Sequence, residues 1–233
     1  MPLPSLHFHS LLSRTLTGIT LDSIGSLRKA LRVLHDEHGV PHVVVSSIPF
    51  DATRSELWAL PPDLKKTFTE NTSVFPYTGA SLLCISSSKS HSGCENPVVH
   101  AAAVPQLAGY YSGVGDLFSA MVLAHFEPSS SADPPSSTPL SRAASAALRI
   151  THTVLRRTAL YASHQPNAEM DNYTDDELDS MDGGRQARRT KARELRLVQS
   201  ADLILSGGNM ACDVKEGDED YELKLWQSDF WAI

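Results

Sequence analysis

Only three cysteines occur in 233 residues, Cys84, Cys94 and Cys212, and they form no metal-ligand spacing. An odd count with no secretory context fits a reducing compartment and excludes a disulfide scaffold. Positive charge is in short supply too: 20 Lys and Arg face 27 Asp and Glu, a formal charge of -7. That balance argues against a nucleic-acid surface, which needs clustered cations. No apolar run is long enough to span a bilayer. The opening MPLPSLHFHSLLSRTL has no cationic start, and prolines and histidines interrupt its apolar residues. The expectation is a cytoplasmic protein that engages neither membrane nor nucleic acid. The phosphate-loop pattern GxxxxGKS/T is missing as well, and no internal repeat is visible.

Hydrophobic residues make up 41% of the chain, enough for a sizeable core. Asp22 or Ser23 is placed to cap a helix with Leu27, Leu31 and Leu34 on one face, and Gly39 to stop it. The β-branched run from Val40 to Ser47 reads as a buried parallel strand. Helix, glycine, then apolar strand is half of a βαβ unit, which points to the α/β class. Ser81 to Ser87 and Pro97 to Val104 read as two strands of a loose hairpin. Asp116 to about Phe126 and Ser141 to about Ser163 have helical periodicity, and residues 194–200 alternate as a last strand would. Two stretches look unable to build a core: the Ser/Pro-rich residues 127–140, and residues 165–192, acidic and then basic. Residues 1–14 read as an irregular leader. The tail, 206–233, ends in aromatics that pattern alone does not place.

The chemistry concentrates in GYYSGVGDLFSAM, residues 109–121. A glycine turn at a helix N-terminus exposes backbone N–H groups and the positive end of the helix dipole, and so attracts anions. Gly113, Val114 and Gly115 could form such a cradle with the amide of Asp116. The Asp116 carboxylate could accept a proton from a hydroxyl that attacks a phosphate. Gly-x-Gly-Asp is equally a turn followed by an ordinary capping aspartate. Spacing alone leaves both readings open. A dinucleotide fingerprint is not supported, because Phe118 stands where its third glycine should be.

The longer stretch GYYSGVGDLFSAMVLAHF resembles the signature of pyridoxal kinases, members of the ribokinase-like superfamily. LTGITLDSIGSLRKALRVLHDEHGVPHVVVSSI, ITHTVLRRTALYA and RELRLVQSADLI resemble further segments of that family, in the same order. Together they cover most of residues 15–205 outside the two biased inserts. The resemblance implies a three-layer ribokinase-like sandwich with a central, mostly parallel sheet. It implies ATP-dependent phosphorylation of the 5′-hydroxyl of pyridoxal, with pyridoxine and pyridoxamine as related substrates and Mg²⁺ bridging the phosphates. Asp116 matches the family's catalytic base, and Gly113, Val114 and Gly115 its anion hole. Ser46 and Ser47 match residues at a strand end that touch ATP phosphates, although a plain strand-end turn reads equally well. Val98, Val99 and Val104 match the strand lining the adenine pocket, with core packing the competing reading. A homodimer is the family's common assembly.

The departures are specific. Where the family carries a TPNxxE-like segment before LTG, this chain has His9 and Leu12, neither an adequate ligand for a hard cation. Arg14 stands where the family usually shows an acid. The family's large N-terminal portion, with most vitamin-binding residues, has no counterpart before Thr15. The expected fold is therefore incomplete at its N-terminal side, with an exposed apolar edge and one uncovered sheet face. Two alternatives to an active kinase follow: a non-catalytic nucleotide-binding fragment, or an enzyme like hydroxymethylpyrimidine kinase.

Overall fold

A computed structural model describes residues 5–9, 15–50, 58, 60, 64, 77–89, 96–127, 137–164, 175–207, 221–226, 230 and 231. Leu12, Arg14, Cys94 and Cys212, most of the Ser/Pro-rich insert and residues 165–174 lie outside this set. The elements in chain order are β1 (Ser5–His9), α1 (Ile24–Arg32), β2 (His42–Phe50), β3 (Tyr77–Ser88), β4 (Val98–Leu107), α2 (Val114–His125), α3 (Pro139–Ser163), α4 (Asp175–Met181), α5 (Arg185–Ala192), α6 (Ala201–Leu205) and β5 (Lys224–Leu225).

Local chemistry sets the helix starts. Ser23 and Ser26 form a reciprocal cap on α1, each side-chain oxygen accepting the other's backbone N–H. Thr138 and Ser141 do the same for α3, and Pro139 fits the first helical position because it has no N–H to satisfy. The long helix therefore begins before Ser141, inside the stretch expected to be a linker. After α1 the chain widens into one π-helical segment, Val33–Glu37, and Gly39 then turns it at φ +66.

The sheet order is β1-β2-β3-β4-β5. Only β1 and β2 pair in parallel; β2–β3, β3–β4 and β4–β5 are antiparallel. The expectation of a mostly parallel sheet is thus overturned. Continuous apolar runs report burial on both faces, which parallel sheets usually have, but they do not report strand direction. Here both faces are covered although the strands are mostly antiparallel. Leu27 and Leu31 of α1 and Leu34 of the π-helical segment pack with Val43, Val45, Leu83, Ile85, Val99 and Ala101 on one face. Phe118 and Val122 of α2, with Leu140, Ala143, Ala144 and Ala147 of α3, pack with Val44, Cys84, Ala102 and Val104 on the other. Burial pushes the Cys84 thiol up to about 12, so it serves as a packing group.

Three further expectations change. Residues 5–9 of the supposed leader form an edge strand in register with His42–Ser46. Neither face is left uncovered: the one that carries α1 also holds Trp58, Leu60, Leu64, Trp226 and Phe230, all buried. The unplaced tail supplies part of that cover. Lys224 and Leu225 pair with Ala101 and His100, and the Trp231 indole donates to the Pro97 carbonyl at 2.7 Å. Residues 194–200 are not a strand: Glu194 makes a single bridge to Ser112, and Val198–Ser200 is a 3-10 turn.

Candidate active site

β3 runs antiparallel to both β2 and β4, so those two strands point the same way. The chain leaves β4 at Leu107, turns through Gly109 and Gly113, both at positive φ, and enters α2. Gly113 is the N-cap residue at φ +83, a conformation in which a Cβ is strained. The first intrahelical bond runs from the Leu117 amide to the Gly113 carbonyl at 3.0 Å. The amides of Val114, Gly115 and Asp116 precede it and have no acceptor within the helix. Gly115 and Asp116 are exposed, and a Cβ built on Gly115 would meet nothing within 4 Å.

Asp116 is therefore not the cap. It occupies the third helical position, exposed to solvent, while Leu117 and Phe118 beside it are buried. None of the hydrogen bonds or ion pairs found among the described residues engages its carboxylate. Nearby, the Ser119 hydroxyl donates to the Gly115 carbonyl at 2.7 Å, and Tyr110 is 78% exposed at the mouth of the turn. An open carboxylate next to open amides can hold an anion and take a proton within one turn of helix.

The other candidate residues lie elsewhere. Ser46 and Ser47 are not at a strand end, because β2 continues to Phe50. They form a bulge: Val45 pairs with Ile85 but Ile48 with Leu83, so β2 carries one extra residue, and Ser47 sits at φ 59. The bulge re-phases the strand, which is why Val45 and Ile48 face the same core. It lies level with Ala102, about 16 Å along β4 from Leu107. Val98 and Val99 are farther still, at the opposite end of β4, and Val99 and Val104 pack in opposite cores. Gly113, Val114, Gly115 and Asp116 follow one another at the start of α2, the serines lie in the β2 bulge, Val98 and Val99 sit at the start of β4, and Val104 packs under α2 with Phe118 and Val122.

The pattern reading overlooked residues 193–196, which dock on the turn from the far end of the chain. The Arg193 guanidinium lies against Gly109, Glu194 bridges Ser112, and Leu195 approaches Gly113. One signal could have pointed there. Between Lys89 and Arg142 the sequence has no lysine or arginine, so any cation at the turn must come from a distant segment.

The fold class is α/β, a sheet with helices on both faces. Among solved structures, the pyridoxal kinase of Leishmania donovani in complex with ADP and pyridoxine matches with a TM-score of 0.51 at 18% identity, over 85% of this chain and 46% of that one. The complex of that enzyme with ADP and pyridoxamine matches with a TM-score of 0.52 at 18% identity, over 85% and 47%. At that identity the likeness establishes the shared fold, and this chain spans just under half the length of those kinases. No protein-family model matches the chain, and no curated protein matches it by sequence.

Proposed function

We propose that this chain carries the nucleotide side of a pyridoxal kinase, with the phosphates of ATP resting on the amides of Val114, Gly115 and Asp116. The 5′-hydroxyl of pyridoxal, pyridoxine or pyridoxamine attacks the γ-phosphorus. Asp116 takes the hydroxyl proton, the new P–O bond forms, and the bond to the β-phosphate oxygen breaks to release ADP. Mg²⁺ would arrive on the nucleotide and neutralise charge there. Among the described residues no group of three or more His, Cys, Asp or Glu is arranged to hold a metal ion. The observation that carries the proposal is the exposed Asp116 carboxylate in the first turn of α2, behind a left-handed Gly113 and beside amides that have no acceptor within the helix.

The test is ADP release by the purified chain with and without pyridoxal, with the phosphorylated product identified by mass spectrometry. Pyridoxal-dependent release that Asp116→Asn abolishes is expected. Release that persists unchanged in Asp116→Asn removes Asp116 from the chemistry. A second reading is a nucleotide-binding chain without turnover of its own. Nucleotide binding with no phosphorylated vitamin under any condition would select that reading.

A further inference from the structure

A nucleoside triphosphate brings several negative charges to the glycine turn, and Asp116 adds one more. No lysine or arginine lies between Lys89 and Arg142 to offset them. The fold delivers one from beyond α5. A Cβ at Gly109 would fall 3.1 Å from the Arg193 Cζ, 3.2 Å from its Nε and 3.4 Å from its Nη2. Gly109 holds φ +100, and its lack of a side chain is what lets the guanidinium lie there.

The residues after Arg193 are pinned in turn. Glu194 bridges Ser112, and Leu195 Cδ1 is 3.8 Å from where a Gly113 Cβ would be. The Arg196 guanidinium stacks 3.9 Å over the Tyr161 ring, and its amide donates to Thr158 Oγ1 at 3.1 Å. Upstream, α5 is clasped to α4: Asp179 accepts from Arg185 at 2.6 Å and from Arg189 at 2.5 Å, and Arg188 pairs with Asp182. The acidic-then-basic insert is, from Asp175 on, a self-neutralised helical clasp. It fixes the segment from which Arg193 extends.

We propose that Arg193 is a specificity-determining residue of the nucleotide site, where its guanidinium contacts the phosphate chain of a nucleoside triphosphate and the α4–α5 clasp holds it in reach. This rests on the nucleotide reading above. A planar guanidinium can donate two parallel hydrogen bonds to phosphate oxygens, which suits it to an anion chain better than a point charge.

The experiment is equilibrium binding of ATP, AMP and inorganic tripolyphosphate to the full chain and its variants, with thermal midpoints recorded alongside. Arg193→Ala is expected to weaken ATP and tripolyphosphate by about ten- to a hundred-fold while leaving AMP nearly unchanged. Arg193→Gln keeps the reach without the charge and should behave the same way. Arg193→Lys should recover part of the loss, and Asp179→Asn should shift ATP in the same direction by less. The collapse of ATP-over-AMP preference is the diagnostic readout, since general loosening would weaken both. Equal weakening of ATP and AMP, or variants that bind ATP as the wild type does, overturns the role of Arg193 and leaves the nucleotide reading standing. A wild-type chain that binds none of the three probes overturns both.

Discussion

Two aspartates show opposite solutions to the same problem. Asp179 is 13% exposed and gripped by Arg185 and Arg189. Burial alone would push its carboxyl up, but the hydrogen bonds from the two arginines outweigh it and hold the group below its ordinary value. Asp116 is exposed at the first turn of α2 and is engaged by none of the hydrogen bonds or ion pairs described. A carboxylate built for stability has its lone pairs occupied. One available for proton transfer keeps them open, and an exposed helix N-terminus lets it do so at little cost to the fold.

Breaking the comparison at Asp116 should have the largest effect. Asp116→Asn is expected to cut kcat by about 10²–10⁴-fold, the usual span for losing a general base, with no loss of thermal stability. Steady-state ADP release and a thermal melt check the two halves together. Breaking it at Asp179 should do the reverse. Asp179→Asn strands two arginines, one with a side chain only 9% exposed, and should lower the thermal midpoint by roughly 5 °C.

Acid should attack the clasp as well. The unfolded chain protonates its aspartates near the ordinary 3.8, whereas folded Asp179 and Asp182 do so only at lower pH. Their contribution is therefore present above about pH 4 and drains as pH falls through the folded values. Urea midpoints against pH should lose part of that slope in Asp179→Asn. A second slope should appear earlier. Burial holds the His35 imidazole below its ordinary 6.5, and its two nitrogens meet the Val40 carbonyl at 2.6 Å and Ser87 Oγ at 2.8 Å. The unfolded chain takes the proton first, so stability should be full above about pH 6.5 and decline below it. The smallest effect concerns the strand bulge. Ser47→Gly relieves a left-handed conformation at φ 59 and should stabilise by about 0.5–1 kcal/mol in denaturant melts.

Much of the local structure was legible. The Ser23 cap, the Gly39 stop, the β3–β4 hairpin and helix α2 behind its glycine turn all follow from residue types acting within one or two turns of chain. Ser46 and Ser47 were misplaced because a bulge has no reliable sequence mark. Only the pairing of Val45 and Ile48 with β3 reveals the extra residue. The charged stretch after residue 165 looked like a solvated insert because composition counts charges without pairing them. Asp179 finds Arg185 and Arg189 six and ten residues away only once α4 and α5 fold against each other.

The sequence by itself determined where the helices of the site begin and which carboxylate stands at the glycine turn, because capping, glycine φ freedom and helical periodicity are short-range. The tertiary structure decided the direction of β2 relative to β3, the cover of one sheet face by Trp226 and Phe230, and the arrival of Arg193 at Gly109. Those outcomes depend on contacts between residues tens of positions apart. They are set by which surfaces bury together and which charges find partners, and no local pattern encodes either.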